Sequence, residues 1–87
     1  MEKSRDELAL EVKQHIVQYL NLIDIKPEDI KNDEPLFGGD LGLDSIDSVE
    51  LIVMLDREYG KKIKNPTEGR TILADVNAIV DFIQQPA

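Results

Sequence analysis

Ser45 is the residue whose surroundings best suit chemistry, because Asp44 precedes it and Asp47 follows two positions later. The chain has no cysteine and a single histidine, His15, so we expect neither metal nor hydrolytic chemistry and assign His15 no role. A serine hydroxyl at the start of a helix is accessible, and the nearby amides tolerate an attached phosphate. On its own, Ser45 is more simply interpreted as an ordinary helix-capping serine.

The hydrophobic periodicity predicts an all-α fold in one domain, residues 1–87. We expect a small antiparallel bundle of three main helices and one short helix, with a long loop between helices one and two. The first helix begins at a capping box, Ser4 to Glu7, and ends between Asn21 and Ile25. The loop then runs to Leu43, and its apolar residues predict that it lies pinned across the core.

Capping residues and glycines locate the other helices. The second helix is predicted to start at Asp44–Ser45 and to end at Gly60. A short helix begins after Asn65, and Gly69 is expected to limit it to about a turn. The last helix is predicted to run roughly from Leu73 to Gln84.

Negative charge is concentrated on the long loop and the second helix. Residues 31–60 hold eight acids and two bases, a net charge of −6 within a chain total of −8. Such a surface repels phosphate backbones and anionic lipid, so we expect no nucleic-acid partner and no membrane-surface role. The charged segment from Glu2 to Glu7 and the lack of a long apolar run predict a cytoplasmic protein with no signal peptide or membrane span.

An apolar stripe lies beside carboxylates on the second helix. Ile46, Val49 and Val53 follow at spacings of three and four, and Asp47 and Glu50 alternate with them. Such a strip suits a partner that brings both an apolar groove and basic residues. The spacing alone equally allows the stripe to belong to the core.

The segment from the end of the long loop into the second helix resembles the prosthetic-group attachment signature of the acyl carrier proteins. Its sequence is Asp40-Leu41-Gly42-Leu43-Asp44-Ser45-Ile46-Asp47-Ser48-Val49-Glu50-Leu51. The heart of this signature is Asp-Ser, then Leu or Ile, then Asp, followed by an apolar-Glu-Leu turn. Phe37 ahead of the motif and the Tyr59-Gly60-Lys61-Lys62-Ile63 end of the second helix extend the resemblance over nearly the whole chain.

This resemblance implies that Ser45 is esterified with 4′-phosphopantetheine from coenzyme A by a separate, magnesium-dependent phosphopantetheinyl transferase. The protein is then not an enzyme. It carries acyl groups as thioesters on that arm and delivers them to acyl-transferring, condensing and modifying enzymes with basic docking patches, in lipid or polyketide-type biosynthesis.

The resemblance also implies two sets of binding residues. Partner recognition falls on the exposed side of the second helix, at Asp44, Ile46, Asp47, Val49, Glu50, Val53, Asp56 and Arg57. The acyl pocket falls on apolar positions that are equally core residues, namely Phe37, Leu51, Leu55, Ile63, Val76 and Ile79.

Several features depart from the common fatty-acid carriers, among them a stretch from Ile30 to Phe37 that is one residue longer. Arg57 stands where they have another acid, and the segment after Ile63 is about two residues longer. Lys64, Gly69 and Arg70 replace the acid-rich character of that segment. We therefore expect a specialised carrier for a dedicated pathway.

Other interpretations stay open. A peptidyl, aryl or D-alanyl carrier protein shares the fold and the arm, and the composition also allows a helical adaptor with no cofactor. A calcium loop that starts at Asp40 is disfavoured, because Leu51 stands where the bidentate glutamate is needed. We expect a monomer, since every long apolar stripe has a use within one bundle.

Overall fold

The computed structural model describes residues 4–37 and 42–85, which form a small helical bundle. Helix α1 spans Arg5–Leu20, α2 spans Ser45–Tyr59, α3 spans Pro66–Ile72 and α4 spans Val76–Gln84, with a 3-10 turn at Pro27–Asp29. The predicted all-α fold is confirmed. Asp40 and Leu41 of the signature lie outside the described residues.

Both ends of α1 are set by local hydrogen bonds. The Ser4 hydroxyl accepts from the Glu7 amide at 3.2 Å, which satisfies one of the amides left unpaired in the first turn. Asn21 ends the helix in the left-handed conformation, with φ 54°, and its N–H bonds back to the Val17 and Gln18 carbonyls. The helix therefore ends within the predicted interval, well before Pro27.

The start of α2 is fixed by a reciprocal capping box. The Asp44 carboxylate accepts from the Ile46 and Asp47 amides at 3.0 and 3.2 Å, while the Asp47 carboxylate accepts from the Asp44 amide at 3.0 Å. At the other end Gly60 has φ 66°, a left-handed conformation that glycine adopts without the strain that most side chains would cause. Both predicted ends of α2 are confirmed.

Helix α3 is longer than the sequence predicts. Gly69 does not stop it, because the Gly69 amide bonds to the Asn65 carbonyl and the Gly69 carbonyl accepts from the Leu73 amide. A glycine weakens a helix without breaking its hydrogen bonds, and tertiary packing decides whether the helix continues. Gly69 is buried, and a Cβ placed there would lie 3.7 Å from the Ile63 side chain, an ordinary contact, so the packing does not require its small size.

The last helix starts later than predicted. Leu73 is the C-terminal cap of α3, and α4 begins at Val76. Asp75 caps it by accepting from the Ala78 amide at 2.8 Å. The prediction that the helix runs from Leu73 was wrong. Leu73 is apolar and buried, which suits the end of α3 as well as the start of α4, so its apolar character does not locate the boundary. The Asp75 cap sets the start of α4.

The long loop is held against the core, as its apolar residues predict. Ile30 and Leu36 are fully buried. Backbone hydrogen bonds join the Leu36 amide to the Ala74 carbonyl and the Asn77 amide to the Asn32 carbonyl, each at 3.0 Å. The loop is thus tied to the segment that links α3 with α4 and to the first turn of α4.

A polar cluster joins α1 to the end of α2. His15 Nδ1 lies 3.0 Å from the Tyr59 hydroxyl, and its Nε2 lies 3.5 Å from the Glu58 carboxylate. The Tyr59 hydroxyl donates to Glu11 at 2.8 Å, and the Tyr19 hydroxyl donates to Glu58 at 2.7 Å. Since Tyr59 gives its one proton to Glu11, His15 Nδ1 is the donor in the remaining contact.

Both tyrosines of this cluster hold their protons more tightly than free tyrosine does. Burial, with the Glu58 charge, raises the pKa of Tyr59 to about 12. The hydrogen bond to Glu58 raises the pKa of Tyr19. The cluster therefore depends on neutral hydroxyl groups.

We expect Tyr59 to make the fold sensitive to alkali. Its pKa is near 10 when exposed and about 12 in the fold, so the unfolded chain loses this proton first. The stability that the protonated Tyr59 hydroxyl contributes to the fold is complete below pH 10 and is lost as the pH rises towards 12. Urea unfolding across this range will show a shallower decline for Tyr59→Phe than for the wild type. An identical decline in the two proteins would contradict the assignment.

We expect Asp44→Ala to lower the free energy of unfolding by about 1 kcal/mol, because the first-turn amides of α2 lose their acceptor. Asp44→Asn keeps a capping oxygen and will retain most of that stability. Urea unfolding at neutral pH measures both variants. Equal losses of unfolding free energy in Asp44→Ala and Asp44→Asn would show that the negative charge of Asp44, and not its capping hydrogen bonds, stabilises α2.

Candidate functional site

Ser45 is the first residue of α2, and its side chain is exposed. Capping is performed by Asp44, so the interpretation of Ser45 as an ordinary capping residue does not hold. Within the part of the chain that the structure describes, the Ser45 hydroxyl has no hydrogen-bond partner. The Ser45 hydroxyl is thus exposed at the first turn of α2 and unpaired within the described residues.

A cleft of about 930 Å³ opens beside Ser45. One wall is a single face of α2, whose members follow at spacings of three and four: Ser45, Ser48, Val49 and Ile52. The opposite wall is formed by α3 and the segments at its two ends, through Ile63, Lys64, Asn65, Gly69, Arg70, Leu73 and Ala74. Pro35 and Phe37 of the long loop complete the lining.

The residues predicted for an acyl pocket divide into two groups. Phe37 and Ile63 line the cleft. The other four are fully buried core residues that do not line it: Leu51, Leu55, Val76 and Ile79. Their part in an acyl pocket stays a prediction.

Sequence reasoning missed part of the apolar lining. Ile52 and Leu73 line the cleft, and neither was assigned to it. Ile52 could have been found, because it lies seven residues after Ser45 and therefore on the same face of α2. No spacing in the sequence predicts that Leu73 lines the cleft, since the place of its side chain depends on where α3 ends.

The apolar stripe of α2 is exposed. Ile46, Val49 and Val53 have 72%, 57% and 37% of their surface accessible. The core interpretation of this stripe, which the spacing allowed, is therefore wrong. Val49 also borders the cleft, so the stripe and the cleft meet on this helix.

The charged residues predicted for partner recognition lie along the same helix. Asp44, Glu50, Asp56 and Arg57 are exposed, and Asp47 is half-buried. The Asp44 and Asp47 carboxylates also cap the helix, so these two serve the fold whatever else they contact. The arrangement offers carboxylates around an exposed apolar strip.

No group of three or more histidine, aspartate or glutamate side chains is positioned to bind a metal ion within residues 4–37 and 42–85. Asp40, from which the disfavoured calcium loop would start, lies outside these ranges. Among the same residues, no helix has the length and apolar character needed to cross a membrane.

The chain matches a family model described as the phosphopantetheine attachment site, over residues 11–67. This is more than half of the 87 residues, and it includes α2 with Ser45. An exposed, unpartnered hydroxyl that borders an open cleft fits a group attached there, because a long arm has room beside it. The resemblance found in the sequence is confirmed: the chain belongs to the acyl carrier family, as a carrier protein domain with an attachment site for 4′-phosphopantetheine.

Proposed function

We propose that this carrier holds acyl groups and that Ser45 is the residue to which 4′-phosphopantetheine is attached. The observation that carries the proposal is the free Ser45 hydroxyl at the edge of a cleft with several apolar residues, inside the segment that matches the family. In the transfer from coenzyme A, the Ser45 oxygen loses its proton and bonds to the phosphorus that bears the pantetheine arm, while the bond from that phosphorus to the bridging pyrophosphate oxygen breaks and the nucleotide half of coenzyme A leaves with this oxygen. When bound, the arm supplies a terminal thiol that carries the cargo as a thioester.

The apolar side chains of the cleft favour an acyl cargo. Besides Val49 and Ile52 of α2, the lining includes Phe37, Ile63 and Leu73, and burial of an alkyl chain among these side chains removes apolar surface from water. The charge of the lining supports the same choice. A D-alanyl or other aminoacyl group would bring an ammonium ion into a cleft whose lining, among the described residues, has two cations, Lys64 and Arg70, and no carboxylate.

The exposed stripe of α2 is the proposed docking surface for the transferase and for the acyl-transferring, condensing and modifying enzymes. Ile46 offers the most exposed apolar side chain of the stripe, and Glu50 lies next to Val49 on the accessible side. A partner with an apolar groove and basic residues complements this surface. Arg57, a cation on the same helix, changes the charge pattern and supports a specialised set of partners in a lipid or polyketide-type pathway.

Loading of Ser45 is tested by intact mass after incubation with coenzyme A, magnesium and a broad-specificity phosphopantetheinyl transferase. We expect the wild type to gain one phosphopantetheine and Ser45→Ala to gain none. Ser48→Ala is the matched control, because it removes a hydroxyl from the same face of α2 and will still be loaded. An unmodified wild type, shown to be folded and incubated with a transferase that loads another carrier, contradicts the proposal.

Docking is tested by placing a charge on the stripe. We expect Ile46→Asp to lower kcat/KM for loading by the transferase roughly tenfold, because an apolar contact is replaced by a desolvated charge. Ile23→Asp is the control, since Ile23 is 86% exposed and lies outside α2. Circular dichroism checks that both variants fold. Equal rates for the two variants would show that the transferase does not use this stripe.

A further inference from the structure

Two cations in the cleft have no charged partner in the described chain. Lys64 and Arg70 are exposed on the wall opposite α2, and neither makes an ion pair or a side-chain hydrogen bond with residues 4–37 or 42–85. Arg5, by contrast, pairs with Asp81 at 2.6 Å. Lys64 and Arg70 are therefore available to an anion that enters the cleft.

The proposed attachment at Ser45 brings such an anion. The arm begins with a phosphodiester, which carries a negative charge at neutral pH. Ser45 lies between the Asp44 and Asp47 carboxylates, in a segment of residues 31–60 whose net charge is −6. Repulsion from these acids directs the phosphate away from α2 and towards the cationic wall.

Other hydrogen-bond donors near the phosphate already donate to acceptors within the protein. The Ile46 and Asp47 amides donate to the Asp44 carboxylate, so the first turn of α2 does not offer them. The Ser48 hydroxyl donates to the Ser45 carbonyl at 2.6 Å. The strong donors that remain in the cleft lining are the side chains of Arg70 and Lys64.

We propose that Arg70, assisted by Lys64, binds the phosphodiester of the arm on Ser45 and so holds the arm along the cleft against α3. The inference rests on the proposed function, because it needs Ser45 as the attachment residue. A guanidinium group forms two parallel hydrogen bonds to a phosphate, which fixes orientation as well as distance.

Tethering strengthens a contact that would be weak between separate molecules. An exposed ion pair contributes little to stability by itself. Here the anion is covalently bound beside the cation, so its effective concentration is high and little further freedom is lost. Arg70 is thus a positioning residue: it determines where the arm lies and takes no part in bond formation.

The test is NMR of the loaded protein, whose arm contains a single phosphorus atom. We expect loading to shift the backbone amide signals of residues 69–74 in the wild type and to give a phosphorus signal that moves as salt is added. Arg70→Gln will lose both effects and Lys64→Gln will reduce them, while Arg70→Lys will restore part of them. Lys62→Gln is the matched control, because it removes the same charge from an exposed residue that does not line the cleft.

Each outcome separates the two proposals. Intact mass is measured first on every variant, and a wild type that cannot be loaded overturns the proposed function and this inference together. Loading with the same phosphorus and amide signals in the wild type and Arg70→Gln overturns this inference and leaves the carrier function standing. An effect of Arg70→Gln that appears only with an anionic acyl cargo also overturns it, because the partner of Arg70 is then the cargo.

Discussion

The position of the site depends on the hydrogen bonds exchanged between Asp44 and Asp47. These bonds set the residue at which α2 begins and occupy amides that would otherwise face solvent. A helix that began one residue later would give Ser45 a non-helical backbone and change the direction of its hydroxyl. The same bonds also explain why two carboxylates lie beside the hydroxyl, since the fold requires them there.

Helix α2 presents three different surfaces, and this explains its apolar sequence. Leu51, Met54 and Leu55 face the core and are fully buried. Ile52 faces the cleft, and Ile46 faces solvent. An ordinary amphipathic helix has one apolar face and one polar face. Here the extra apolar positions serve the cleft and the exposed stripe, so composition alone does not distinguish the three uses.

Features that depend on neighbouring residues were predictable from the sequence. The Ser4 and Asp44 caps and the Gly60 stop are local, because each bonds to residues within a few positions. The start of α4 was predictable in principle from Asp75, but the apolar periodicity that begins at Leu73 gave a misleading boundary.

Features that depend on tertiary packing were not predictable. The hydrogen bond between His15 and Tyr59 joins residues 44 positions apart, so no pattern along α1 indicates it. Tertiary packing also determines which residues line the cleft. Leu51 and Ile52 are neighbours with similar side chains, yet the fold buries one in the core and exposes the other to the cleft.

The two walls of the cleft belong to different helix pairs. Helix α2 packs chiefly on α1, and α3 packs chiefly on α4, with the long loop fastened to the α3–α4 junction by the Leu36–Ala74 bond. The walls are connected directly by residues 60–65, which begin at the left-handed Gly60. The cleft therefore lies along the seam between the two helix pairs, so its width is set by how α1 packs against α4, the contact that joins the pairs through the core.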